Sequence, residues 1–168
     1  MSVRPQKVGS ALTAAIGLAL LIGCRKPGAG GCSDGQTCYR QGRALLAAYP
    51  LGRGSPEEAA RIIALLQKAC DLSSGRACEL LAGQLEVGNL GPSDPSRVVP
   101  LYDRACTLRE VRSCYELRRL YEEGRGVPKD HAMAMKYRQL ACDLADSLSR
   151  GTFCEWNTHS PIDGAVPN

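Results

Sequence analysis

Nine cysteines in 168 residues carry most of the chemistry this sequence could perform. A thiol can act as a nucleophile, hold a metal or close a disulfide, and the spacing of the nine separates these options. Structural zinc sites draw on closely spaced pairs such as C-x-x-C, and no such pair occurs here. The two histidines, His131 and His159, lie far apart in the chain and read as solvated residues rather than ligands. No metal and no cofactor is therefore expected. So many cysteines do not suit a reduced, cytosolic protein of this size, so oxidation in an exported chain is the expectation. Nine is odd, which leaves one cysteine to account for separately, and eight cysteines admit about a hundred pairings.

The odd one has a place. Residues 1–23 open with Arg4 and Lys7, continue through an apolar segment from Ala11 to Ile22, and end as Leu21, Ile22, Gly23 before Cys24. That apolar run is too short for a helix to cross a bilayer core of about 30 Å, so a cleaved export signal is expected. Its end resembles the lipobox of bacterial lipoproteins, which implies lipidation of Cys24 and removal of 1–23. Arg25 follows Cys24 where inner-membrane retention would call for Asp, so an outer-membrane anchor is favoured, facing the periplasm or the cell surface. The segment 24–37, with Pro27 and several glycines, reads as a flexible lipidated tether.

The remaining eight cysteines need elements to position them, and the chain supplies these as a repeat. Cys70, Cys106 and Cys142 each follow an alanine and recur every 36 residues, each with a leucine two positions on. The same offset relates Pro56, Pro92 and Pro128, then Gly52, Gly88 and Gly124, then Leu45, Leu81 and Leu117. A fixed period of this length marks stacked supersecondary units. Within each unit the apolar period is helical: Leu45, Leu46 and Tyr49, then Ile62, Ile63, Leu66 and Ala69 in the first. Ser55, Pro56, Glu57 and Glu58 form a helix start of N-cap, N1 proline and first-turn acids. Aromatics are only 5% of the chain, which suits close-packed helices better than a sandwich. The expected fold class is all-α, a short α-solenoid of antiparallel helix pairs, with three units over 38–157 and a loose tail at 158–168. The formal charge of +4 includes Arg4 and Lys7 of the leader, so the mature chain is too weakly basic to take nucleic acid as a partner.

The segment Ser113 to Cys142, with Leu117, Tyr121, Gly124, Gly126, Val127, Pro128, Asp130, Ala132, Ala134 and Ala141, resembles the Sel-one-like repeat, a relative of the tetratricopeptide repeat. Ala-Cys-Asp-Leu at 69–72 and 141–144 and Ala-Cys-Glu-Leu at 77–80 resemble its cysteine-rich secreted, Hcp-like branch. That resemblance, together with locality in sequence, implies four disulfides: Cys32 with Cys38, Cys70 with Cys78, Cys106 with Cys114, and Cys142 with Cys154. With all eight paired, no thiol is left for catalysis. Two residues depart from the pattern. Arg118 stands where the family prefers Gly or Ala, so the third unit is expected to splay or to lift the guanidinium outward along its stem. Pro100 falls inside the second helix of the middle unit, which is expected to kink there or to begin near Val99.

Some cysteine-rich relatives are described as β-lactamases or penicillin binders, which makes that activity the alternative function. The serine enzymes need S-x-x-K, S-D-N and K-T-G elements. No serine here has a lysine three residues on, and neither other element occurs, so no catalytic residue is assigned. The first reading is a binding scaffold. In stacked helix pairs the first helices line one curved side, where Arg43, Glu79, Gln84, Arg112, Tyr115, Glu116 and Arg119 offer polar and aromatic groups suited to a peptide. The expected partner is an envelope protein or peptide, including one associated with peptidoglycan, with the membrane reached through the N-terminal lipid.

Overall fold

The computed structural model describes residues 31–49 and 54–147, and these form six α-helices in three antiparallel pairs. The first pair is α1 (Gly35–Ala48) with α2 (Pro56–Asp71), the second α3 (Gly75–Glu86) with α4 (Pro95–Thr107), and the third α5 (Val111–Glu123) with α6 (His131–Ser147). Helices pack most extensively within each pair, and α2 against α3 and α4 against α5 join the pairs in sequence. The fold is thus the expected all-α solenoid.

Local chemistry sets the helix starts. Ser55 and Glu58 close a capping box on α2: the Ser55 hydroxyl accepts the Glu58 amide at 3.2 Å, and the Glu58 carboxylate accepts the Ser55 amide at 3.0 Å. Asp94 accepts the Ser96 amide at 3.1 Å ahead of α4, and Asp130 accepts the Met133 amide at 3.0 Å ahead of α6. All three second helices therefore begin on a polar cap. By contrast α3 and α5 begin without a side-chain cap hydrogen bond. They follow tight turns in which Ser73 and Arg109, one repeat apart, hold φ of 64° and 70°. In those turns the Ser74 amide reaches back to the Ala69 carbonyl and the Glu110 amide to the Ala105 carbonyl, each at 3.0 Å, so the orphan carbonyls ending α2 and α4 are met in the same way.

Disulfides close over these two turns. Cys70 joins Cys78 with a Cα separation of 4.7 Å, and Cys106 joins Cys114 at 4.9 Å. Each bridges the last turn of one pair to the first turn of the next, and all four cysteines are buried. A third disulfide, Cys32 to Cys38 at 5.0 Å, pins the incoming chain onto α1. Cys142 is also disulfide-bonded; its expected partner Cys154 lies outside the described residues, as do Cys24, His159, the leader and the tail. Oxidised cysteines in the core are the chemistry of an extracytoplasmic compartment. Among the described residues, no helix is long and apolar enough to cross a membrane.

Around the cysteines the core is aliphatic: Ile62, Leu66, Leu81, Leu85, Val98, Leu117 and Leu120 are buried. Aromatic rings act as pins between elements. Tyr121 of α5 stacks on Tyr137 of α6 with centroids 5.6 Å apart, and the Tyr137 hydroxyl donates to Asp103 of α4 at 2.8 Å.

Three details differ from the sequence expectations. The first helix begins at Gly35, inside the segment read as tether, because Asp34 accepts the Thr37 amide at 2.8 Å and the Cys32–Cys38 bond holds the preceding turn in place. Helix α4 begins at Pro95, not near Val99, and runs on through Pro100. Pro100 faces solvent, so the Ser96 carbonyl that loses its intrahelical donor is in the exposed first turn, where water can serve. Finally, the third pair is not splayed by Arg118: its guanidinium lies along α5, with one terminal nitrogen 2.7 Å from both Glu122 carboxylate oxygens. The Arg118 Nε is buried without an acceptor, which is the cost of placing a guanidinium at a close-packed position.

Candidate functional site

Repeat geometry lays the first helices α3 and α5 side by side, and their facing side chains form a ladder of charge across two units. At its start the Ser113 hydroxyl of α5 donates to the Glu79 carboxylate of α3 at 3.4 Å. Further along, Arg119 of α5 donates to Glu86 of α3, to Glu116 at 3.1 Å and to Glu123 at 3.0 Å. Arg125, in the turn after α5, approaches both Glu86 and Glu123 at 3.4 Å. From beneath, the Tyr102 hydroxyl of α4 donates to the other Glu86 oxygen at 3.0 Å.

Glu86 is the buried end of this arrangement, its side chain only 12% exposed. Three donors surround it, which is what a carboxylate needs to stay charged away from water. Burial opposes the charge on Arg119, but hydrogen bonds to Glu86 and Glu116 outweigh it and hold the guanidinium above its ordinary value. Burial, then the adjacent Glu86 charge, raises the Tyr102 phenol well above the usual range, so it remains a donor. At the opposite end Glu110, wedged against Gly75, is raised by burial and by the Glu79 carboxylate, with Arg76 acting in opposition. A shallow cleft at the Arg125 end, lined by Glu86, Pro95, Val98 and Leu120, encloses about 10 Å³, room for one water at most.

The seven residues nominated from sequence divide accordingly. Glu79, Glu116 and Arg119 come together on the α3–α5 face. Arg112 projects from the same stripe of α5, 76% exposed and 3.8 Å from Glu116. Gln84 is half-buried and accepts the Asn89 side-chain amide at 3.0 Å, bracing the turn after α3. Tyr115 turns away toward α6, where burial raises its phenol and the charges of Arg118, Arg138 and Asp146 bear on it. Arg43 stands exposed on α1. Glu86, Tyr102 and Arg125 complete the ladder and were not among the seven. Glu86 carried a usable signal, since an acid beside Leu85 at the end of a core stripe asks for a partner; Arg125 carried none, because a turn arginine reads as solvated.

Among the described residues no group of three or more His, Cys, Asp and Glu is placed to hold a metal ion. The arrangement is chemically a polar surface whose least exposed charges, Glu86, Glu116 and Arg119, are paired with one another and with Arg125 and Glu123, while Arg112 stays exposed at its edge.

No family model matches the chain, and no curated protein matches it. Solved structures do. A Sel1 repeat protein from Oxalobacter formigenes superposes with a TM-score of 0.56 at 20% identity, over 66% of this chain and 82% of that one. A protective antigen of uropathogenic Escherichia coli, described as displaying an SLR fold, superposes with a TM-score of 0.56 at 22% identity over 68% of this chain; the match spans only 24% of that longer protein. The cysteine-rich protein B of Helicobacter pylori aligns at 24% identity with a TM-score of 0.48, over 71% of this chain and 98% of that one. The first two likenesses establish the fold as that of stacked Sel1-type helix pairs.

Proposed function

We propose that this protein is an exported lipoprotein of the cysteine-rich Sel-one-like kind, anchored through Cys24 and acting as a scaffold that binds an envelope protein or peptide. The observation that carries this reading is the face shared by α3 and α5, where Glu79 meets Ser113 and Glu86 meets Arg119 across two repeats. Disulfides at Cys70–Cys78 and Cys106–Cys114 fix the turns beneath that face. A surface held this stiffly loses little entropy when a partner docks. Beyond the paired groups, Arg43 and Arg112 project into solvent as the cationic contacts on offer.

The test is co-purification of the membrane-anchored, full-length protein with its envelope partner, repeated for Arg43→Glu with Arg112→Glu. Arg119 is left unchanged because its reversal would break the fold's own ion pairs. One partner captured by the parent and lost from the double variant is the expected result; equal capture by both overturns the assignment of this face. Turnover of a chromogenic β-lactam by the purified protein would replace binding with hydrolysis. Anchoring is read by mass spectrometry of the native mature chain, which should begin at lipid-modified Cys24, and the lipid mass should vanish in Cys24→Ser.

A further inference from the structure

Arg40, Arg76 and Arg112 stand one repeat apart at the same register position, on α1, α3 and α5 in turn, and all three are exposed. The fold makes little use of them. Arg40 and Arg76 make no hydrogen bond or close ion pair among the described residues, though their charges act to lower the Asp34 and Glu110 carboxyls from beyond contact distance. Arg112 reaches Glu116 at 3.8 Å, a carboxylate that Arg119 already holds at 3.1 Å. Two of the nearby acids are engaged elsewhere: Asp34 caps α1 through the Thr37 amide, and Glu79 takes the Ser113 hydroxyl. What this side presents to a partner is therefore a row of exposed guanidinium groups, repeated once per unit, of which only Arg112 has a carboxylate within 4 Å among the described residues.

Successive first helices are neighbours bridged by side chains, as Ser113 and Arg119 of α5 reach Glu79 and Glu86 of α3, and at ordinary interhelical spacing successive arginines stand about 10 Å apart. An extended chain of the polyproline II type advances about 3.1 Å per residue and returns every third side chain to the same face, so about three residues span one step of the ladder. Guanidinium forks match carboxylates in bidentate geometry. We propose that Arg40, Arg76 and Arg112 form a ladder that takes an extended acidic peptide segment carrying Asp or Glu at every third residue, with one carboxylate per repeat. The inference rests on the scaffold reading above and names the chemistry of its ligand.

Fluorescence anisotropy on the mature protein tests it, using a labelled peptide of Ser and Gly with Glu at its first, fourth and seventh positions, and a second of the same composition with the three Glu adjacent. The spaced peptide should bind more tightly, and its affinity should fall as salt is raised. Each of R40Q, R76Q and R112Q should weaken it about twofold to fivefold, the usual worth of one exposed ion pair, and the triple variant about tenfold or more. Exposure of all three predicts unchanged circular dichroism and no free thiol in the variants, which shows that they fold. Unchanged affinity in the triple variant, or equal affinity for the two peptides, overturns the ladder. So does binding to anionic phospholipid vesicles with the same arginine dependence while neither peptide binds, which would make the ligand a membrane surface. An envelope partner lost from the Arg43→Glu, Arg112→Glu protein but still captured by R40Q with R76Q sinks the ladder and leaves the scaffold standing.

Discussion

Arg119 concentrates the ionic contacts between α3 and α5, and its removal strands the Glu86 carboxylate, 12% exposed, with only Tyr102 and the looser Arg125 for company. An unsatisfied buried acceptor costs about 1–3 kcal/mol. Arg119→Met should therefore destabilise by about 1–2 kcal/mol in urea melts, the lower half because Arg125 can move in. Adding Glu86→Gln should recover part of that loss, and strictly additive single-variant effects would show the two groups to be uncoupled. Glu110 is the opposite case, a half-buried carboxyl that gains nothing from its place. Burial and then Glu79 raise it above its ordinary 4.5, so the folded chain keeps a proton that the unfolded chain has lost. Stability from this group consequently falls as pH rises from about 4.5 through the raised value. Glu110 is also the N-cap of α5 and makes no cap hydrogen bond. Glu110→Ser removes the strained charge and supplies a cap, so it should stabilise by about 1 kcal/mol at neutral pH. Below about pH 4 the advantage should shrink toward the cap alone, and a gain independent of pH would show the charge to be unimportant.

At the scale of elements, α1 and the second helices carry their own start signals, whereas α3 and α5 borrow theirs. Ser55, Asp94 and Asp130 begin α2, α4 and α6 by side-chain capping, whereas α3 and α5 start from turns closed by a disulfide. Each closed loop of about nine residues should contribute roughly 2–3 kcal/mol through the entropy it removes from the unfolded chain. Cys106→Ser with Cys114→Ser should lower stability by about that amount. Because α5 and α6 meet the rest of the molecule mainly through α4, hydrogen exchange should rise first in the third pair; uniform acceleration would instead mean one cooperative unit. Pro100 offers a gain at this scale. It is exposed and denies a donor to the Ser96 carbonyl, so Pro100→Ala should restore one intrahelical bond and stabilise α4 by about 1–3 kcal/mol, read as a higher urea midpoint.

Over the whole molecule, stiffness comes from cross-links placed at the same point of successive repeats. The disulfides bridge α2 to α3 and α4 to α5, while hydrogen bonds from Arg104 to the Asp71 carbonyl at 2.9 Å and from Tyr137 to Asp103 at 2.8 Å tie second helix to second helix. Helices of 12 to 17 residues are marginal alone in water, so each pair depends on its neighbours. A rigid stack that repeats its outward chemistry suits an extended ligand better than a compact one, which is why the functional proposals concern a strip of surface rather than a pocket.

Much of this architecture is legible in the sequence. A 36-residue period in Cys, Gly, Pro and Leu fixes three helix pairs because each pair must bury the same face against the next, and capping at Ser55 is local chemistry spanning three residues. Pairing of charge was not legible. Glu86 and Arg119 are 33 residues apart, and which of the acids and arginines along α3, α5 and the following turn would meet depended on how two helices sit side by side. The fate of Arg118 was likewise decided by packing, since a guanidinium at a crowded position either folds along its own helix or pushes the neighbour away, and a carboxylate one turn on, at Glu122, tipped the balance. Short-range patterns determine elements because their partners lie within a few residues; the charged face exists only once separate repeats are brought together.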